Sequence, residues 1–459
     1  MLTSGARESI ARLARSVLSV KPLVEALAPP VRIVPVARDT AVAPADRSAG
    51  QWEELETLLG TVAGRAGVAG LTLSPTLAQE NLQVFERVVS NRLALAELAS
   101  PLLMAPQTLR SEVDEITAET VADSFDVFFH KQTIVAADGM PLNVYDSGRG
   151  AETVVLVPAC GMPAALAESW MRYLAGDRRV LAWESRGLFG AAGYHGDYAI
   201  DTEAQVGDLF SVLDHYGVCS AHVVGLCGGA VIALAAAASQ PARISSLSLW
   251  HGAYAFASGC PRTRHQHDLI ELMAIAAHSR VAARSVQAAF CQMALISTPT
   301  ELAHLVLYPY VDPELFYRYC RLNGQLATTD VEPFLRGVNQ PTLVVTSEDD
   351  DTAHPQGSIQ VADGLSNARL RIEPHGDHAS LFLADNTLMQ VAVDFIEQQT
   401  PHRQFRAPES AVQDSCDSTT SAPVDSVAQC CTDNRERGGD ERRCAGHQPP
   451  LVQTIRPQG

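Results

Sequence analysis

The run Val223-Val224-Gly225-Leu226-Cys227-Gly228-Gly229-Ala230 constrains this chain more than any other. Its first half is apolar and reads as a buried strand. Its second half leads into the small, helix-forming stretch from Ala230 to Ser239. Between them stands Gly-x-Cys-x-Gly. A strand that turns straight into a helix holds its central residue in a strained backbone, so the flanking positions have to be small. Gly225 and Gly229 meet that need. The central residue is a cysteine. A thiolate is a better nucleophile at neutral pH than a hydroxyl, and a better leaving group. That choice points toward taking an acyl group from a thioester and handing it on. An inert packing cysteine is the competing reading, and the residues downstream decide between the two.

Two partners follow in the chain. Pro341 to Thr346 reads as a short buried strand that runs into Ser347-Glu348-Asp349-Asp350-Asp351, then His354-Pro355. A triad acid belongs just beyond such a strand. Asp350 is the first candidate and Asp351 the second. Arg369 to Ile372 reads as the last strand, followed by Pro374-His375-Gly376-Asp377-His378-Ala379 and an apolar helical stretch. His378 directly precedes that stretch and is the candidate general base; His375 reads as a loop residue. The order nucleophile, acid, histidine is that of α/β-hydrolases. In this assignment His378 deprotonates Cys227, and the aspartate fixes the imidazole tautomer.

An oxyanion hole needs two backbone donors. One is expected at Gly228, the residue after the nucleophile. The other is expected in Pro158-Ala159-Cys160-Gly161-Met162-Pro163, the loop after the strand Thr153 to Val157; Met162 is the first choice, with Gly161 behind it. Cys160 reads as a small packing residue. Val180 to Trp183 reads as a further strand, followed by Glu184-Ser185-Arg186-Gly187-Leu188-Phe189-Gly190. This resembles the structural Asp-x-Arg-Gly-x-Gly loop of the superfamily, with Glu184 in the acidic place. Strands alternating with helices predict an α/β fold with a mostly parallel, doubly wound sheet.

At 459 residues the chain exceeds one such domain. Residues 1–124 read as a helical extension with no strand signal, for example over Ser9 to Leu27 and Leu82 to Leu98, with a linker near Pro35 to Gly50. The α/β-hydrolase domain is expected over 125–400, opened by a hairpin around Asp138-Gly139. A helical cap interrupts it at about 252–338. Residues 401–459 are polar and read as a disordered tail. The spacing of Cys416, Cys430, Cys431 and Cys444 in that tail matches no common zinc finger, and no metal or bound cofactor is expected. Ten cysteines without a secretory pattern predict a reducing, cytoplasmic setting. No apolar run is long enough to span a bilayer. The net charge of −18 argues against nucleic acid as a partner. It also means that docking on an acidic carrier would need local basic or apolar contacts.

Gly-Leu-Cys-Gly-Gly-Ala in this frame, with a long helical extension, resembles the cysteine aminoacyltransferases of nonribosomal peptide pathways, such as the syringomycin and coronamic acid shuttle enzymes. The resemblance covers roughly residues 125–400. It implies that an acyl or aminoacyl unit moves between phosphopantetheine thioesters on acyl or peptidyl carrier domains, through an acyl-cysteine at Cys227, with His378 as base and Asp350 as acid. A thioesterase or other acyl hydrolase is the alternative. Polyhydroxyalkanoate synthases share Gly-x-Cys-x-Gly-Gly, but Ala230 follows Gly229 here and the acid and histidine surroundings differ. Dienelactone-type hydrolases are much shorter. A catalytically inactive interaction module is disfavoured by the intact Cys, Asp, His order.

Overall fold

The computed structural model describes residues 4–37, 48–98, 110–148, 150, 152–191, 193 and 198–399. The expected tail, with its four cysteines, lies outside the described residues.

The catalytic sheet is built from the apolar runs seen in the sequence. Its strands are β3 (Gln132–Val135), β4 (Pro141–Asp146), β5 (Thr153–Val157), β6 (Arg179–Trp183), β7 (Ala221–Leu226), β8 (Ile244–Trp250), β9 (Thr342–Ser347) and β10 (Ala368–Glu373). They lie in the order β10-β9-β8-β7-β5-β6-β4-β3. β3 and β4 form the hairpin, β4 runs antiparallel to β6, and every other pairing is parallel. This is the α/β-hydrolase fold. Parallel strands covered on both faces are largely apolar, and all six residues of β7 are buried, His222 among them.

Helices cover the sheet. Those that matter for the site are α7 (Thr202–His215) and α8 (Gly228–Ser239). The last helix of the sheet domain, α15 (Asn386–Gln399), buries Met389, Ala392, Val393, Phe395 and Ile396 along one face. The cap is helical as expected: α9 (Arg264–His278), α10 (Arg280–Ser297), α11 (Ala303–Val306), α12 (Pro313–Ala327) and α13 (Glu332–Leu335). Side-chain caps stop α9, α10 and α12 from fraying, with Thr263, Ser279 and Asp312 each accepting a backbone N–H of the first turn.

The expectation of a strandless extension is corrected. Its helices α1 (Ser4–Ala26), α2 (Ala49–Ala66), α3 (Val84–Leu93) and α4 (Arg110–Ala122) are joined by a parallel pair, β1 (Val31–Ile33) with β2 (Leu71–Leu73). Three residues are too few to display a period-2 pattern, so neither strand is visible in the sequence. Arg32 of β1 forks onto Glu86 of α3 at 2.8 and 2.7 Å. That hydrogen-bonded ion pair holds the Glu86 carboxyl down at about 2.

Residue 124 is a boundary in the chain, not in the core. Ile10, Leu13, Val17, Val20 and Val24 of α1 recur every three or four residues and are buried. They belong to one continuous apolar core with Phe290 and Ala294 of α10 and Phe316 and Tyr319 of α12. The extension therefore supplies the inner packing of the cap. Deleting residues 1–109 should expose this apolar surface and give aggregated protein without a cooperative melt. Val17→Asp, which buries an unpaired carboxyl, should cost about 3 kcal/mol or more. Size-exclusion chromatography and thermal unfolding test both; a monomeric deletion with an unchanged melting temperature would contradict the shared core.

Candidate active site

The turn from β7 into α8 carries Cys227. Its backbone sits at φ 52°, ψ −121°, a region that L-residues rarely enter. The two glycines are required by contact rather than by habit. A Cβ on Gly225 would lie 2.7 Å from the Ala230 Cα, and one on Gly229 would lie 2.3 Å from the Val157 carbonyl oxygen of β5. The Cys227 N–H is anchored to the Trp250 carbonyl at 2.9 Å.

Asp350 follows β9 and is 2 % exposed. One of its carboxylate oxygens accepts from the Thr352 and Ala353 amides at 2.9 and 2.8 Å. The other lies 2.9 Å from His378 Nδ1 and 2.8 Å from His251 Nδ1. Burial alone would raise the pKa of this carboxyl; the two imidazoles outweigh it and hold it far below the usual range. His378 opens a short 3₁₀ turn, His378–Leu381, and reaches the Cys227 thiol as well as Asp350. Burial would lower its pKa, but Asp350 and Cys227 together push it well above the ordinary histidine value. The structure thus sets His378 against Asp350 and places it with Cys227 on one cavity. The other two candidates lie apart. The His375 side chain is 89 % exposed and pairs only loosely with Asp349, at 3.3 Å. Asp351 is exposed and meets Thr263 through its backbone carbonyl.

His251 is the residue that sequence reasoning missed. It ends the Ile244-Ser-Ser-Leu-Ser-Leu-Trp250 run of β8, which was not read as a strand. It is 2 % exposed, with φ +47°, and its N–H is held by the Val345 carbonyl at 2.8 Å. Recognising β8 would have placed it at the carboxyl end of a central strand, where sites of open α/β sheets gather.

The oxyanion expectation is corrected for one of its two donors. The Met162 N–H is spent inside its own turn on the Ala159 carbonyl, at 3.0 Å. The Gly161 N–H donates to Ser185 Oγ at 2.8 Å. The Cys160 N–H has no partner among the described residues. It lies 3.5 Å from where a Gly228 Cβ would stand. Gly228 is the first residue of α8, where the N–H has no partner within the helix. The two amides therefore neighbour each other beside Cys227. The Met162 side chain lines the cavity instead. Cys160 Sγ is buried against Gln205 Oε1 at 3.2 Å, and burial pushes its thiol up, as suits a packing residue.

Behind this loop, Glu184 accepts from Tyr145 Oη at 3.0 Å and from the Ala164 amide. Burial lifts its carboxyl to about 7. Arg186 is fully buried and forks onto Asp208 at 2.8 and 2.6 Å, which fixes the Glu184–Gly187 loop against α7.

Thr352, Ala253, His265, the apolar sides of α9, α10 and α11, and part of α12 close a cavity of about 170 Å³ over Cys227 and His378. Among the described residues no helix is long and apolar enough to cross a membrane.

No protein-family model matches the chain. Among curated proteins it is similar to "Putative carbamate hydrolase RutD" of Variovorax paradoxus (strain S110), 28% identical over 266 residues, which are 56% of this chain and 96% of the relative. The protein of the same name from Stutzerimonas stutzeri (strain A1501) is 27% identical over 265 residues, 54% of this chain and 93% of the relative. Among solved structures, an enol-lactonase from Burkholderia xenovorans LB400 has a TM-score of 0.44 at 20% identity, over 58% of this chain and 100% of its own. The α/β hydrolase MGS-M2 from a Medee basin deep-sea metagenome library has a TM-score of 0.47 at 18% identity, over 60% of this chain and 100% of its own. The curated relatives support a hydrolase-type enzyme of the α/β-hydrolase superfamily.

Two outcomes follow from the site. His251→Leu should slow acylation of Cys227 by roughly 10- to 100-fold in folded protein, since small displacements of a catalytic array cost that much. His251→Asn, which keeps a donor toward Asp350, should lose less. Single-turnover acylation with circular dichroism as the fold control measures both. Glu184 gives a pH signature. Its folded pKa is raised, so its contribution is complete below the unfolded value near 4.5 and is lost as pH rises toward 7. Glu184→Gln should therefore be more stable than wild type at pH 8, by about 1–3 kcal/mol, with the difference fading toward pH 4. Denaturant unfolding across that range reads it.

Proposed function

We propose that this protein is a cysteine-dependent acyltransferase that takes an acyl group from a thioester and passes it to an acceptor thiol through an acyl-cysteine at Cys227. The observation that carries the reading is a thiol, rather than a hydroxyl, at the strained elbow, in contact with a histidine whose other nitrogen faces a buried carboxylate.

The steps follow from the residues. His378 takes the thiol proton on the nitrogen that faces Cys227, while its Nδ1–H stays on Asp350. Sγ attacks the thioester carbonyl, and the amides of Gly228 and Cys160 receive the developing oxyanion. The tetrahedral intermediate collapses with loss of the donor thiolate, which takes the proton from His378. The acceptor thiol then gives its proton to His378, attacks the acyl-cysteine and restores the Cys227 thiol. Exchange between thioesters is nearly isoenergetic, so the intermediate is neither a sink nor a peak. The cap's part is to exclude water in favour of the second thiol. The thioester carriers this suits are phosphopantetheine arms of acyl or peptidyl carrier domains, and no resident cofactor or metal enters the scheme.

Hydrolysis is the second reading, favoured by the names of the curated relatives. It uses the same acyl-cysteine with water as the acceptor. Cys227→Ala should abolish acylation with the fold intact, and Cys227→Ser should acylate slowly and pass the group on poorly. His378→Ala should lose about 10²–10⁴-fold, Asp350→Asn less. Decay of isolated acyl-enzyme separates the two readings: a long half-life that collapses on adding pantetheine or an unloaded carrier domain supports transfer. Release of free acid at a rate indifferent to the acceptor would establish the hydrolase.

A further inference from the structure

We propose that the acyl group this site accepts is uncharged and largely apolar, because the cavity over Cys227 is an apolar chamber whose walls carry no Lys, Arg, Asp or Glu among the described residues. This rests on the acyl-cysteine reading and narrows it.

The chamber's walls explain the selection. Leu269 and Met273 of α9, Phe290 and Ala294 of α10, and Leu302 and Val306 line it on the cap side. Met273, Phe290 and Ala294 belong to the core shared with α1, and Leu269 and Val306 pack against it. Two of the polar groups on the chamber are paired with each other. Asn323 Nδ2 donates to Tyr319 Oη at 2.8 Å, and Tyr319 in turn is hydrogen-bonded to Tyr310. Burial pushes both phenols up, so they stay neutral. The Tyr319 ring lies over the loop at Gly161, where a Cβ would come within 2.6 Å of it. The nearby buried carboxylate, Asp350, has both oxygens occupied by two imidazoles and two amides.

An ammonium carried into such a space loses its hydration and finds no carboxylate in the lining, and a carboxylate meets only imidazoles, of which His378 is already paired with Asp350. An aminoacyl unit needs an acid for its α-ammonium; a dicarboxylic half-acyl needs a base for its free carboxylate. The chamber offers neither. A branched or unbranched aliphatic acyl group finds dispersion contacts with Leu269, Met273, Phe290, Leu302 and Val306. The two histidines on the chamber supply no anion for an ammonium; His378 is paired with Asp350, and His265 is a half-buried ring beside Gln266.

The test uses the full-length protein and three N-acetylcysteamine thioesters at pH 6: 4-methylpentanoyl, leucyl and glutaryl. The first two share a carbon skeleton and differ by the α-ammonium. Formation of the Cys227 adduct is followed by intact mass and peptide mapping. The 4-methylpentanoyl donor should load at least about tenfold faster than either charged donor. Equal or faster loading by leucyl or glutaryl overturns the inference while leaving the acyl-cysteine intact. No adduct from any donor overturns the acyl-cysteine and this inference with it. Asn323→Asp, which sets a carboxylate beside Tyr319, should raise the leucyl to 4-methylpentanoyl ratio and leave glutaryl excluded. An unchanged ratio in a folded variant would mean that charge in the chamber is not what selects.

Discussion

A cysteine in a left-handed backbone turn is the constraint on which the rest of this molecule depends. At φ 52° Cys227 is strained, and the strain persists only because its neighbours over-determine it. Gly229 packs against the Val157 carbonyl of β5, Gly225 against Ala230, and the Cys227 N–H is held by Trp250 of β8. Three adjacent strands thus converge on one residue. The reward is chemical. The thiol stands at the carboxyl end of the sheet, with the unpaired first N–H of α8 beside it and His378 within reach.

Asp350 extends the same logic to the opposite side. A buried carboxylate is tolerable only when its lone pairs are used. Here two amides serve one oxygen and two imidazoles the other. The second imidazole, His251, makes the acid more than a tether for His378. It ties β8 to the loop after β9, so that the position of His378 is referenced to the centre of the sheet.

The cap shows how distant segments collaborate. Its helices form one core with the amino-terminal extension, so the chamber above Cys227 is shaped by residues nearly three hundred positions apart in sequence. Cys227 and His378 come from the sheet domain; much of the wall facing them comes from the cap, packed on the extension.

What the sequence determined by itself is local. The glycines around Cys227, the apolar runs of β5, β6, β7 and β9 and the order Cys227, Asp350, His378 are each written in a short stretch, because buried strands and tight turns impose composition on consecutive residues. The fold class was legible for that reason, and so were the three side chains proposed for the site. What only the tertiary structure decided is non-local. Met162 and Gly161 could not be told from Cys160 as amide donor, since the loop's own hydrogen bonds to Ala159 and Ser185 settle which N–H remains available. β1 and β2 are three residues each and exist by pairing with one another across forty positions. His251 became part of the site through a contact with Asp350, ninety-nine residues away. Charge in the chamber was equally invisible, because its walls come from separate elements whose mutual facing no periodicity records.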